Sequence, residues 1–597
     1  MDALSSSFTS TLPPQIQRLH YSPTKTKAPL LLPSSSSSSR TNNVIVSTTS
    51  PPKKPETTAE NNKQQTKTTQ KPSSSVSTTT NVSAVILNTL NKLIKPKLQA
   101  QPLSLDPSRA FSNNLAPVDE LHPIQCQVTQ GSLPSCLEGA YIRNGPNPQY
   151  PPRSEPYSPF DGDGMLHCIK ISQGQATFCS RYVNTYKYTI ENTVGSPIVP
   201  RPFSSFSGPL AFLTRAGVLA ARVLTGQLSI NSGFGLANTS LAFLGNRLLA
   251  LYEGDLPYAV RLTSNGDIET LGRCDLDGKL VMNMTAHPKK DPETGEMFAF
   301  RYSPMPPFVT YFWFDANGEK QPDVHIKMPG QWLRHPPLMH DFAITKRYAI
   351  FVDTQVQAYG MEMILRREPL LHSDPTKVSR IGVMPRYAKN SSQMRWFDAP
   401  GLNNIHAVNA WDEEDGNVIV MVAPNILSVE QVFERMELIH CLMEKVRIDL
   451  RTGVVSRHPI SARNLDMAVI NPGYVAKKNR YVYAAVGDPM PKMTGLVKLD
   501  LKKGERRECT VATRIYGPDC YGGEPFFVAR DAADKEADED DGYILSYVHD
   551  DKAGESKFLV MDAKSPHLDI VAEVKLPQRV PAGFHGLFVR EIDFCKL

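Results

Sequence analysis

From about Pro102 onward, short apolar runs alternate with turn residues towards the C-terminus. LLALYEGDLPYAVRL, MFAFRYSPMPPFVTYFWFDANGEKQ, YAIFVDT, NVIVMVAP, YVYAAVGDP, YILSYVHDD and KFLVMDA are rich in Val, Ile, Tyr and Phe, punctuated by Gly, Pro, Asn or Asp. Runs of this kind predict β-strands, and DANGE and LRTGV predict hairpin turns. Few stretches carry the helical period. The pattern therefore predicts an all-β chain of about five hundred residues. A β-propeller accommodates that length, because each blade is a small sheet and ring closure leaves only short edges. No tight repeat is visible, so the blade number is not legible from periodicity.

Two stretches depart from the pattern. Ser205–Ile230 is the longest helix-like apolar segment of the body, with Leu210, Leu213, Leu219 and Leu224 mixed with Arg215 and Arg222. It is too short and too charged to cross a bilayer, and reads either as a helix packed in a cap or as one lying in a membrane interface. Ala84–Leu98 places Val85, Ile86, Leu90, Leu93 and Ile94 on one helical face, with lysines towards its end. No uninterrupted run of about 20 apolar residues occurs, so no membrane-spanning helix is expected.

Composition sets the first eighty residues apart. They hold the six serines Ser34–Ser39 and then PPKKPETTAENNKQQTKTTQKP, with too few apolar side chains to offset the entropy of ordering. Asp2 is the only acid before Ser50. A Ser-rich, basic, acid-poor leader is the description of an organelle transit peptide. The expected division is a disordered leader over 1–80, an amphipathic helix or linker over 81–104, and the β-rich body over 105–597. The formal charge of +5 hides this asymmetry: residues 1–100 carry 12 Lys/Arg against 3 Asp/Glu, so the rest carries 53 against 57. A slightly acidic body gives no reason to expect nucleic acid. Nine scattered cysteines without CxxC spacing suit a reducing compartment and argue against a disulfide framework or a zinc ribbon.

Four histidines stand in apolar frames: His287 in VMNMTAHPKK, His340 in PLMHDFAIT, His406 in GLNNIHAVNAWDE and His585 in VPAGFHGLFV. Neutral imidazole is a common ligand for iron, copper and zinc. Each alone reads as readily as a core histidine satisfied by one hydrogen bond. Their separations are 53, 66 and 179 residues. Seven blades would take about 70 residues each, so side chains on inner strands one or a few blades apart would meet at the axis.

At these residues the chain resembles the carotenoid cleavage dioxygenase family, most closely the plastid carotenoid cleavage dioxygenase 4 type. The resemblance runs over about residues 105–597 and includes GAYIRNGPNP, PFDGDGMLH, LYEGDLPY, TAHPK, MHDFAIT, NIHAVNAWDE, YGGEPFFV and VPAGFHGLFV in the family's order. It implies a seven-bladed β-propeller with a helical cap around residues 205–230. It implies one Fe(2+) per chain on the axis, bound by His287, His340, His406 and His585, with O₂ as co-substrate. Four neutral imidazoles with no thiolate or carboxylate donor suit a ferrous ion that binds O₂. It further implies acids behind the ligand histidines: Glu253 in LYEGD, Glu524 in GGEPF, and Asp466 in ARNLDMAVINP, where other branches carry Glu. Such acids take the second ring N–H and fix the tautomer. Aspartate is one methylene shorter, so Asp466 is expected to act through a water or to hold its histidine less tightly.

The activity implied is oxidative cleavage of a C=C bond of a carotenoid or apocarotenoid, at the 9,10 or 9′,10′ position, to ionone-type and apocarotenal products. The implied setting is a plastid, chloroplast or chromoplast, with a monomer peripherally bound to a plastoglobule or thylakoid surface. Three rivals remain: 11,12 cleavage of 9-cis-epoxycarotenoids, a calcium-dependent propeller hydrolase, and a carotenoid-binding propeller without catalysis. Other candidates carry less. His335, His372, His458 and His549 lie beside prolines or acids and read as surface or turn residues. His167 reads as structural. FDGDGM lacks the Lys-Ser/Thr of a phosphate cradle and reads as a tight glycine turn. Asp534–Asp541 lacks EF-hand spacing and reads as a solvated loop.

Overall fold

A strand sandwiched between two sheets must be apolar on both faces, and a strand at a sheet's outer edge need only alternate. Val418–Ile426 is buried at every position, whereas Ile268–Arg273 alternates between sheltered and exposed positions. The computed structural model describes residues 85–89 and 113–594, apart from 152–156, 204, 207, 304, 330–334, 369, 430–434 and 504–507. The 1–80 leader and all of the 81–104 segment except 85–89 lie outside the described residues.

Among the described residues, most strands fall into seven four-stranded antiparallel blades. The second runs from Ser240–Leu244 to Ile268–Arg273, the third from Lys289–Lys290 to Val324–His325, and the fourth from Phe342–Ile344 to Arg395–Asp398. The fifth runs from Asn409–Glu413 to Val455–Pro459, the sixth from Leu465–Val469 to Thr510–Ile515, and the seventh from Phe526–Ala529 to Ile570–Lys575. The first blade joins the two ends of the chain: the C-terminal Gly586–Arg590 pairs with Gly139–Pro146, followed by Gly164–Ser172 and Gln175–Tyr182. Leu121–Gly131 bridges the outer edges of the first and seventh blades, pairing with Gln175–Tyr182 and Ile570–Lys575. The ring is thus closed by backbone hydrogen bonds. First strands of neighbouring blades touch, as Phe342–Ile344 touches Asn409–Glu413 and Gly586–Arg590 touches Ser240–Leu244 and Phe526–Ala529. The first strand of each blade is therefore its innermost.

Period-two alternation builds the core between blades. Ile419 and Met421 face the fourth blade with Ile350, Val352 and Ile381, while Val418, Val420 and Val422 face the sixth with Val482, Ala484 and Val497. Full burial of each such side chain contributes about 1.5–3 kcal/mol. The sequence-predicted hairpin turns occur where expected, with Gly318 and Gly453 at φ 79°. FDGDGM forms a short turn at Pro159–Asp161, but Gly162 keeps a negative φ of −75°. Its glycines answer a need for space, since a Cβ on Gly162 would lie 2.7 Å from that of Pro146.

A cap made of helices α1 (Tyr186–Val194), α2 (Pro209–Leu224) and α3 (Gly360–Arg366) and the hairpin Val356–Ala358/Leu371–Ser373 accompanies the ring. Helix α2 lies within the helix-like segment 205–230 and is shorter than it at both ends. Its Leu210, Leu213 and Leu224 are exposed, as are Met361 and Leu365 on the neighbouring α3. Arg222 is fully buried and bonds to Gln227 and Asn88, which ties the helical residues 85–89 to α2. There Leu87 turns inward while Val85 and Ile86 are exposed. Among the described residues no helix is long and apolar enough to cross a membrane.

Candidate metal centre

Each of the four histidines sits where the chain enters an innermost strand. His287, His340, His406 and His585 lie one to three residues before the first strands of the third, fourth, fifth and first blades. Ring closure brings them together. The imidazole centroids of His287 lie 4.5, 5.4 and 4.6 Å from those of His340, His406 and His585. His406 lies 5.5 Å from His340 and 5.2 Å from His585. The ligand nitrogens of His287, His406 and His585 fall within 4.8 Å of one another, and His340 joins through its Nε2, 2.9 Å from Nε2 of His287. Two nitrogens about 2.1 Å from a shared ion, at a right angle, lie about 3 Å apart. The spacing suits a transition-metal ion.

The remaining three blades supply carboxylates. His340 Nδ1 lies 2.8 Å from Glu253 Oε2, at the exit of the second blade's second strand. His406 Nδ1 lies 3.0 Å from Asp466 Oδ1, on the sixth blade's inner strand. His585 Nδ1 lies 2.8 Å from Glu524 Oε1, just before the seventh blade's inner strand, and Glu524 Oε2 accepts the N–H of Gly586 at 2.9 Å. Each blade thus sends one side chain to the axis. An N–H donated from Nδ1 to a carboxylate leaves the Nε2 lone pair facing inward, the tautomer a metal ligand needs. Among the described residues no carboxylate pairs with His287.

Asp466 meets His406 directly, so of the two expectations, a water between them or a looser hold, the first does not apply, and its 3.0 Å contact is slightly longer than the 2.8 Å of the two glutamates. The strand's register shifts between Asp466 and Val469, and Met467 takes φ 48°. A bulge of this kind bends a strand and re-aims its side chains. The Met467 N–H also donates to Asp466 Oδ1 at 2.8 Å.

Burial, together with the neighbouring imidazoles, pushes His287 well below the usual histidine value, so it is held neutral. Burial also acts to lower His406, but the Asp466 carboxylate outweighs it and the net direction is up. Burial acts to raise Asp466, and His406 with the Met467 N–H outweighs it, leaving that carboxyl below its usual range. The His406–Asp466 pair therefore holds its carboxylate ionised, ready to compensate positive charge at the histidine.

Several positioning contacts were not legible in the sequence. Asn283 Nδ2 holds the carbonyl of Glu253 at 2.6 Å and that of Tyr302 at 2.8 Å. Thr285 Oγ1 accepts the N–H of His287 at 3.0 Å, and Asn404 Nδ2 donates to the carbonyl of His406 at 3.1 Å. Their signal is a polar residue in an apolar frame beside a histidine, which does not specify a partner. A small cavity beside His340 is lined by the apolar Leu338, Val352, Val356, Ile405 and Val429 and by the polar Asp341, Thr354, Asn403 and Asn404.

Among the described residues no other histidine joins this cluster, and one surface reading, that of His549, is corrected. His549 is buried, its Nδ1 3.0 Å from Ser556 Oγ, because it lies on the inward-packed second strand of the seventh blade. His335 and His372 stack on Tyr359 in the cap at 4.2 and 3.5 Å, with His335 Nε2 3.0 Å from Glu362. His458 is exposed on an edge strand, and His167 is a buried structural residue stacked on Phe178. The acidic run is only partly solvated: Glu539 accepts the N–H groups of Arg480 and Tyr481, and Asp540 pairs with the buried Lys498.

The family model of the retinal pigment epithelial membrane protein (RPE65) matches residues 115–590. The Arabidopsis thaliana protein named "Probable carotenoid cleavage dioxygenase 4, chloroplastic" is 59% identical over 521 residues, covering 87% of this chain and 86% of that one. A chloroplastic 9-cis-epoxycarotenoid dioxygenase of Oryza sativa subsp. japonica is 53% identical over 515 residues, covering 85% and 80%. Among solved structures, Pseudomonas brassicacearum lignostilbene dioxygenase superposes with a TM-score of 0.68 at 22% identity, covering 83% of this chain and all of that one. A variant of Synechocystis apocarotenoid oxygenase gives 0.66 at 24% identity, covering 82% and 100%. These two speak for the propeller fold. With a family model spanning most of the chain and relatives above half identity, the chain belongs to the family of RPE65 and the carotenoid cleavage dioxygenases.

Proposed function

We propose that the protein is a non-haem iron(II) dioxygenase that cleaves a C=C bond of a carotenoid or apocarotenoid, one oxygen atom of O₂ ending in each of two carbonyl products. The observation that carries this reading is the convergence of four imidazoles, three of them backed by carboxylates, with no thiolate among them. His287, His340, His406 and His585 would hold the ion, and when bound it supplies the binding and activation of O₂. Glu253, Asp466 and Glu524 hold the proton on Nδ1 of their histidines, so that Nε2 stays available. The carboxylates compensate part of the ion's charge from outside the donor set. Leu338, Val352, Val356, Ile405 and Val429 place apolar surface beside His340. The net reaction moves no proton to or from the solvent, so a general base is not required of the protein.

The bond proposed is the 9,10 or 9′,10′ double bond, named for an Arabidopsis thaliana relative that is 38% identical over 524 residues, and 11,12 cleavage is the second reading, favoured by the 53% identity to the epoxycarotenoid enzyme. A plastid setting follows from the leader and from the chloroplastic relatives. A carotenoid dissolved in a bilayer or plastoglobule costs about 25 cal/mol per Å² of apolar surface to expose to water. The exposed leucines of α2 let a monomer rest on the lipid and take substrate without that exposure. Incubating the iron-loaded protein separately with β-carotene and 9-cis-violaxanthin, and reading product masses, tests the proposal. Ionone-type products with their longer partner support it. Products of 11,12 cleavage move the chain to the epoxycarotenoid reaction, and iron binding without O₂ uptake on any carotenoid defeats it.

A further inference from the structure

A buried ion pair beside the histidines belongs neither to the donor set nor to the carboxylates behind it. Lys289 follows His287 by two positions, Asp341 follows His340 directly, and Ala407 follows His406 directly. Their atoms meet. Lys289 Nζ lies 2.8 Å from Asp341 Oδ1 and 3.1 Å from Oδ2, and it donates to the Ala407 carbonyl at 3.2 Å. Asp341 Oδ2 accepts the Ala407 N–H at 2.7 Å, and Oδ1 accepts the N–H of Phe342 at 2.7 Å. The Asp341 side chain is 2% exposed and that of Lys289 18%.

We propose that Lys289 and Asp341 form a positioning clamp that sets the relative placement of three histidine-bearing segments, and through them the geometry of the metal centre. The inference rests on the four-histidine reading above. A buried ion pair is a weak source of net stability, because desolvation offsets most of the attraction, so its use calls for another role. The carboxylates at Nδ1 govern how each ring is turned. They do not govern how far apart the backbones of three separate blades stand. Asp341 on the fourth blade holds the fifth through Ala407, and Lys289 on the third holds both. His585, on the first blade, is tied separately, its carbonyl accepting the Asn144 N–H at 3.0 Å and its own N–H reaching the Thr239 carbonyl at 3.3 Å. The clamp matters most for His287, which no carboxylate among the described residues orients. A metal site loses performance when its donors drift by about 0.5 Å.

The test titrates the metal-free full chain with cobalt(II), whose visible bands report the number and arrangement of donors, and follows thermal unfolding of the same samples. Asp341→Asn and Lys289→Met should each weaken cobalt binding about tenfold or more and change the bands. The double variant Lys289→Met/Asp341→Leu removes both charges. It should restore the thermal midpoint of the metal-free protein while binding stays weak and the bands stay altered. A double variant with restored midpoint and wild-type bands and affinity shows a merely structural pair and overturns the clamp. Should the double variant not fold, the single variant Lys289→Met, which removes the donor to both Asp341 and Ala407, is read by the same bands, and unchanged bands and affinity overturn it equally. A wild-type chain that binds no cobalt sinks the four-histidine reading instead.

Discussion

Asp466→Ala removes the acceptor 3.0 Å from His406 Nδ1 and leaves His406 free to turn or to change tautomer. Two routes size the loss. A hydrogen bond to a charged group contributes about 1.5–3 kcal/mol. Removing an acceptor behind a ligand histidine weakens metal binding about 10–100-fold, or about 1.4–2.8 kcal/mol. The routes agree, and the 16% exposure of the Asp466 side chain lets water replace part of the contact, which places the expectation near the lower end, about tenfold. Glu524 is 9% exposed and also holds the Gly586 N–H, so Glu524→Ala should cost more, while Glu253 at 28% should cost least. The assay is anaerobic iron(II) binding in competition with a chromophoric chelator, with circular dichroism as the fold control. Asp466→Glu should recover most of the affinity. A folded Asp466→Ala protein that holds iron within about twofold of wild type would falsify the role of this contact, and a loss larger at Glu253 than at Glu524 would show that burial does not set the order.

His406→Ala should leave strand content intact by circular dichroism but bind less than a tenth as much iron by metal analysis; full cleavage activity in that variant would refute the ligand assignment. Leu210→Glu/Leu213→Glu should lower partition onto plastid-lipid vesicles about tenfold or more, since burying one leucine is worth about 1.5–3 kcal/mol, and unchanged flotation would remove α2 from the lipid contact. Burial, aided by Arg143 and Arg579, pushes His167 well below 6.5, and burial pushes His549 below it too. The unfolded chain takes up those protons first, so stability is full above about pH 6.5 and falls as pH drops towards the folded values. His549→Gln should flatten that fall in a series of urea midpoints, and an identical slope would show that His549 does not contribute. Deleting residues 1–80 should leave a folded, active body, checked by thermal unfolding and product formation; loss of folding would contradict the leader reading.

Much of the architecture is legible in local pattern. The run NVIVMVAP reads as a strand, and Val418–Ile426 is one, which the structure buries at every position. Within the helix-like segment 205–230, residues Pro209–Leu224 form α2. Where local pattern misleads, a distant contact decides. His549 in VHDDK has acids beside it in sequence, yet it sits on an inward-packed strand against Ser556. Asp540, inside a run of acids, is paired with Lys498, which lies 42 residues earlier.

By itself, then, the chain determined its class of secondary structure, its family and the identity of the four axial histidines as candidates, because strand periodicity and motif order are local properties. Only the tertiary structure decided that Glu253, Asp466 and Glu524 back His340, His406 and His585, across 87, 60 and 61 residues, and that Asp466 does so without an intervening water. The Lys289–Asp341–Ala407 junction belongs to the same category. The physical reason is ring closure: a side chain's period says which way it faces from its own strand, but which atoms it meets at the axis depends on how all seven blades turn around it.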